Sequence, residues 1–339
     1  MFGSKKTTVM LFSLILLGCS ASAFAEPQYV WKVGTLAPKG VGWAKQVEQV
    51  LLPYVAQKTN KQLSLKVYWG GVMGDDEDYI KKMRIGQLQA GGLTAQGAVL
   101  ISKEWAVVEI PFLFNGYAEV DYVRPRMFRI FENFMQKEGF KLLVWIEQDF
   151  DKLYSTKKSL ASLADFKGSN IVTWYGPMEE IVLSRLGANP IPINVPEISA
   201  SFRSGVADAV IAPAIWMVGS QLHSVAKFVN LMNIRYAPVV IVITNKAWAE
   251  IPDSMRKGLE SERDQLARDF VADTRMDNNR FLEAMLRYGM RKTVPSVKDL
   301  EEIKKVLASV GKEMTGKLYP KSLLDELLGH LATYRSKKG

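Results

Sequence analysis

The sequence carries one cysteine and two histidines in 339 residues. The cysteine, Cys19, falls in an apolar N-terminal segment, so the rest of the chain has no thiol for a disulfide framework or a Cys–His nucleophile pair. His223 and His330 have no neighbouring ligand at metal-binding spacing, which excludes a histidine-based metal cluster. Each reads as a surface or capping residue. There is no Gly-x-Ser-x-Gly elbow. The glycine-rich stretch 70–74 is not followed by the Gly-Lys-Ser/Thr of a phosphate-binding loop. The acidic run Asp75-Asp76-Glu77-Asp78 lacks the ligand order of a calcium loop and fits better as the negative first turn of a helix. These absences leave carboxylates as the only reactive chemistry. The expectation is a protein that is not an enzyme and has no cofactor or metal.

Internal repeats and low-complexity segments are also missing. Net charge is +9, but the basic residues are dispersed. The aromatic-plus-basic signatures of the common nucleic-acid modules are absent, so the charge reads as a solvated surface. Hydrophobic content of 48% and charged content of 23% are those of an ordinary globular protein. The length favours two domains over one core.

The first 25 residues read as a targeting segment. Lys5 and Lys6 form a positive start, residues 9–17 an apolar run too short to span a bilayer, and Ala23-Phe24-Ala25 a small-x-small cleavage site. Two readings of this segment stand. Cleavage after Ala25 discards Cys19. Alternatively, Leu16-Leu17-Gly18-Cys19 resembles a lipobox, and an acylated Cys19 anchors the protein to lipid. Both place the mature chain outside the cytoplasm, in the periplasm.

Downstream, short apolar strands alternate with helical patterns, the signature of α/β domains with mostly parallel sheets. Strands are expected at 30–35, 62–69 and 88–93. Asp75 is the expected cap of a helix running to residue 85. Residues 138–149 and 152–156 read as extended segments leaving a first domain, and 236–244 as a β-rich run returning to it. A long charged helix is expected over 253–286. A further helical region over 297–334 shows a 3.6-residue period in Leu300, Ile303, Val306 and Leu307. The resulting expectation is two α/β lobes with a ligand cleft between them.

Several ordered blocks carry a resemblance. The first is Lys58-Thr59-Asn60 with Leu65 to Tyr68, then Gly71-Val72-Met73-Gly74-Asp75, then Met83 to Ala90. Others are Ile110-Pro111-Phe112-Leu113-Phe114, then Gly187-Ala188-Asn189-Pro190-Ile191-Pro192, then Gly205-Val206-Ala207-Asp208, then Asn245-Lys246-Ala247-Trp248. In this order and spacing they resemble the solute-binding proteins of TRAP transporters, the DctP family. The resemblance implies a type II-like periplasmic binding protein whose two α/β domains are joined by crossing strands, with long C-terminal helices. It divides the chain into a leader at 1–25, domain I at 26–150 plus 236–285, domain II at 151–235, and a C-terminal helical region at 286–339 packing on the lobes. It implies a small-molecule ligand and TRAP membrane subunits as partners.

The residues that hold ligand in that family differ here. The resemblance places Val172 where the arginine that clamps a ligand carboxylate is expected, Asp151 where a second arginine is expected, and Ala212 in place of a ligand-contacting asparagine. Losing both guanidinium forks and gaining a carboxylate makes a small organic acid in the usual pose unfavourable, because a buried carboxylate without a partner is costly. Lys152 and Arg203 are the candidates for a displaced cation. The aromatic residues Trp145, Phe150, Trp174, Tyr175 and Trp216 then suggest an aromatic-lined pocket, with Thr94 completing the expected ligand-facing set. The alternative is that several of these rings pack the cores and that Asp151 forms a salt bridge with a lysine. The ligand implied is hydrophobic, neutral or cationic. A second reading is the same binding fold reused as a lipid or hydrophobic-compound carrier, sensor or scaffold outside TRAP uptake.

Overall fold

The computed structural model describes residues 26–174 and 176–337. The leader, Cys19 and Tyr175 therefore lie outside the described residues. The strands are β1 (Tyr29–Thr35), β2 (Leu63–Tyr68), β3 (Ala90–Leu93), β4 (Phe140–Ser155), β5 (Asn170–Thr173), β6 (Asn189–Pro192), β7 (Ala209–Ala212), β8 (Phe228–Thr244) and β9 (Arg291–Thr293). They hydrogen-bond in the order β2-β1-β3-β8-β4-β7-β5-β6, with β9 on β8. β1, β2 and β3 run parallel in one lobe, and β5, β6 and β7 run parallel in the other. Strands β4 and β8, antiparallel to each other, belong to both lobes.

The two crossing strands are longer than local pattern suggests. The extended segments expected at 138–149 and 152–156 are one strand, β4. β8 begins at Phe228 rather than at 236, because Asn230, Asn233 and Arg235 interrupt its apolar alternation without ending its ladder. Register shifts occur between Leu142 and Val144, between Glu147 and Asp149, and between Asp151 and Leu153. The last two lie where the chain passes between lobes. Asp149 there holds φ 146, a conformation unusual for a residue with a side chain. Its carboxylate accepts bonds from the Tyr117 hydroxyl and the Phe150 N–H, which hold the bend.

Cores form on both faces of the sheet, and each runs through both lobes. Local signals place the helices. Asp75 caps Asp76–Arg84 in a reciprocal box with Asp78, as the acidic run suggests. The stretch Trp43–Gln46, Val47–Leu51 and Leu52–Lys58 is one helix with a π turn in its middle, where the Leu52 N–H bonds Val47 O five residues back. Pro53, which has no N–H to donate, follows that turn. The long helix expected over 253–286 divides into Asp253–Ser261 and Arg263–Arg287, because Glu262 leaves the helical region at φ −128. Residues 297–334 likewise divide, into Val297–Leu307, Val310–Glu313 and Lys321–Ser336, with Gly316 at φ 79 and Pro320 turning the chain. Lys321–Ser336 packs on Tyr117–Lys137, and Val297–Leu307 packs on Leu163–Phe166 and Pro177–Arg185. Among the described residues, no helix is long and apolar enough to cross a membrane.

Candidate functional site

Parallel α/β sheets place ligand sites beyond the carboxyl ends of their strands. Here four such ends converge. Leu36 follows β1, Thr94 follows β3, Trp174 follows β5 and Pro213 follows β7, and all four line one cleft between the lobes. The cleft has an empty volume of about 1090 Å³, part of it open to solvent. The lobes touch across it. The Val195 N–H donates to Asp75 Oδ2 at 3.1 Å, and Gly42, at φ 53, sits so close to Ile215 that a Cβ there would lie 2.3 Å from Cγ1.

A guanidinium lines the cleft. Arg235 on β8 lies opposite Asp151 on β4. Its Nη2 and Nε donate to Asp151 Oδ2 at 2.6 and 3.1 Å. Its Nη1 is 3.4 Å from Glu109 Oε1, and its Nη2 is 3.6 Å from Glu179 Oε1. Glu109 ends the 3-10 segment Lys103–Glu109, and Glu179 lies in the first turn of Pro177–Arg185. Three nearly fully buried carboxylates thus surround one cation whose side chain is 11% exposed. Burial pushes Glu109 and Glu179 up to about 7 against the pull of Arg235, and it raises Asp151 as well. Loss of water opposes the charge on Arg235, but the three carboxylates outweigh that and hold it protonated. Asp151 Oδ1 is buried and has no hydrogen-bond partner.

Around this cluster the walls are apolar. Trp174 and Trp216 meet edge to face at 4.8 Å and 84°. Trp174 Nε1 donates to Ile211 O at 2.9 Å, so the ring carbons are what remain for contact. Thr94 lines the cleft, but its hydroxyl donates to Asp76 Oδ2 at 2.5 Å. Asp76 also accepts from the Thr94 and Gly97 N–H groups, so the carboxylate seats the helix Ala95–Ile101. Among the described residues, no group of three or more His, Cys, Asp or Glu side chains is set to hold a metal ion.

Of the residues expected to face ligand, Thr94, Asp151, Trp174 and Trp216 reach the cleft. Trp145, Val172 and Ala212 do not line it. Trp145 is 1% exposed and packs edge-on against Trp105 and Phe131 on the opposite face of the sheet. Ile146 and Gln148 take the cleft face of β4 instead. Phe150 lies on the Trp145 side as well, tilted against Tyr117. Val172 lies within β5, paired with Ile191 and Val210, and Ala212 is the last residue of β7, paired with Lys152; both side chains are fully buried. Lys152 does not supply the displaced cation, because its Nζ bonds Phe150 O and Asn233 Oδ1. Arg203 is exposed and away from the lining. Arg235, Glu109 and Glu179 are the residues that sequence reasoning missed. Arg235 and Glu109 are lone charges inside apolar runs, which was the available signal.

The DctP profile, described as "Bacterial extracellular solute-binding protein, family 7", matches residues 33–317. The chain belongs to this family. It is similar to the 2,3-diketo-L-gulonate-binding periplasmic protein of Escherichia coli, 22% identical over 238 residues covering 69% of this chain and 72% of that one. A solute-binding protein of Chromohalobacter salexigens is 22% identical over 272 residues, 78% of each chain. Among solved structures, the sugar acid binding protein DctPAm of Advenella mimigardefordensis, in complex with galactonate, aligns with a TM-score of 0.84 at 17% identity, covering 90% of this chain and 98% of that one. A TRAP periplasmic solute-binding protein of Haemophilus influenzae with bound L-gulonate aligns with a TM-score of 0.83 at 18% identity, covering 89% and 99%. The chain thus has the two-lobed TRAP binding-protein fold and is an extracytoplasmic solute-binding protein of the DctP family.

Proposed function

We propose that this DctP-family protein closes its lobes on a ligand that is hydrophobic, neutral or cationic, and not a simple carboxylate. The observation that carries the reading is the state of Arg235. A guanidinium with three carboxylates around it has little free positive charge to offer an anion. The unpartnered Asp151 Oδ1 would accept from a hydroxyl or amine, and Trp174 and Trp216 would contact an apolar or cationic body. A ligand touching both lobes stabilises the closed form, and β4 with β8, bent at Asp149, is the hinge we assign to the motion. On this reading residues 26–150 with 236–285 and residues 151–235 move as the two lobes, residues 286–339 pack on them, residues 1–25 are a cleaved leader or a Cys19-anchored one, and the closed form docks on TRAP membrane subunits.

A second reading is favoured by the same arginine. The proteins similar to this one were solved with galactonate and L-gulonate. A carboxylate could take the place of Asp151 on Arg235 if Glu109 and Glu179 are protonated. Thermal-shift titration separates the two, with sugar acids and short organic acids in one arm and amines, alcohols and aromatic compounds in the other. A ligand at 100 times its Kd adds about 2.7 kcal/mol, a readily measured shift. A shift confined to the second arm supports the proposal, and a shift with a sugar acid at pH 7.5 overturns it.

A further inference from the structure

The cleft does not end at the charged cluster. Its wall continues into the first lobe, between the sheet and the helices that cover it. There it is lined by Val47 and Leu51 on the π turn, Leu65 and Val67 on β2, Val239 on β8 and Phe270 on the Arg263–Arg287 helix. Ile146 and Val33 extend the same wall on β4 and β1. The lined strands run β2-β1-β3-β8-β4, four spacings of about 4.8 Å, so the slot crosses roughly 19 Å of sheet.

Val239 stands at the mouth of this slot, beside the carboxyl end of β3. It lies opposite Ile146 on β4, one residue past the last β3 pair, Leu93 with Val240, and is half-buried, while Val240 and Val242 on the other face are fully buried. Val47, on the inner face of the helix opposite, is half-buried too. The π turn that carries Val47 and Leu51 widens the helix at this point, and such insertions often accompany binding sites. A core of this size normally closes such space with side chains.

We infer that the slot receives the unbranched apolar tail of an amphipathic ligand whose donor-bearing head, an amine or hydroxyl, sits at Asp151, Glu109 and Arg235. The head assignment rests on the reading given under Proposed function; the tail assignment rests on the slot alone. The slot lies within one lobe, so the tail binds before closure, and the head then draws Trp174 and Trp216 of the other lobe down onto it.

Calorimetric titration with three homologous series, n-alkylamines, n-alkanols and n-alkanoates from butyl to decyl, kept below micelle formation, tests both parts. Amines and alkanols are expected to tighten about fourfold per added methylene until the slot is full, then level off. Val239→Phe should flatten the dependence on chain length across the amine and alkanol series and not lower the melting temperature of the free protein, since it fills empty space. Val47→Phe, from the opposite wall, gives the same result if the first variant does not fold. Amines that bind with no dependence on length overturn the tail slot and leave the head reading standing. Alkanoates that tighten with length while amines stay weak overturn the head reading and leave the slot. Binding by none of the three series overturns both.

Discussion

Replacing Arg235 by methionine keeps an unbranched apolar stem and removes the guanidinium with its charge. Asp151, Glu109 and Glu179 are then left without their shared counter-charge. Removing one partner of a buried ion pair costs about 3–5 kcal/mol, because the remaining charge has neither water nor a partner. For a chain of this length a change of 1 kcal/mol moves the melting temperature by about 2 °C, so the loss at pH 8 is roughly 6–10 °C. The pH dependence follows from the carboxyls. Glu109 and Glu179 have folded values near 7, raised from 4.5. A raised carboxyl contributes stability that is fully present below about 4.5 and lost as pH rises through about 7. At pH 5 both groups are already protonated in the native state, and removing Arg235 strands only Asp151. The loss at pH 5 is therefore smaller than at pH 8. Scanning calorimetry of wild type and Arg235→Met at the two pH values measures the difference. Adding Glu109→Gln and Glu179→Gln to Arg235→Met should recover part of the loss at pH 8. A fall of the same size at both pH values, or one under about 2 °C at pH 8, refutes the cluster as the seat of this energy.

The same titrations act on binding. A cationic ligand prefers ionised Glu109 and Glu179, so its affinity rises between pH 5 and pH 8 and binding releases protons, read by calorimetry in buffers of different ionisation enthalpy. Trp174→Ala and Trp216→Ala each remove one ring of an edge-on pair and should weaken an apolar or cationic ligand by roughly tenfold, about 1.4 kcal/mol. Gly42→Val puts a β-branched side chain at φ 53 with its Cβ 2.3 Å from Ile215 Cγ1. Small-angle scattering should show that this variant stays open at saturating ligand while its circular dichroism is unchanged. Asp75→Ala removes both the cap of Asp76–Arg84 and the bond to the Val195 N–H. It should cost about 1 kcal/mol of stability and also weaken closure on ligand.

The parts of this molecule that depend on neighbours in sequence were readable from sequence. Asp75 capping and the short parallel strands follow from local pattern, and Thr94 and Trp174, each one residue past a strand, reach the cleft. The parts that depend on parity along the crossing strands were not. On an unbroken strand the residues of one face share a parity, so a reading that assigns Trp145 to the cleft also assigns Asp151. The register shift between Glu147 and Asp149 breaks that rule. Ile146 faces the cleft before it, Gln148 within it and Asp151 after it, and Trp145 goes to the opposite core. Arg235 was hidden for a different reason. Its partner Asp151 is 84 positions earlier, and only the antiparallel ladder of β4 and β8 brings the two together. The resemblance puts Val172 where an arginine is expected, a loss of positive charge on one strand, but charge in a cleft is a property of the assembled walls. A guanidinium entering from β8 restores the cation, and Glu109 and Glu179 arriving from two further elements cancel it again. The expectation of a non-anionic ligand therefore now rests on the neutralisation of an arginine that is present, and no longer on the absence of one, which is why Arg235→Met at two pH values is the experiment that bears on it most directly.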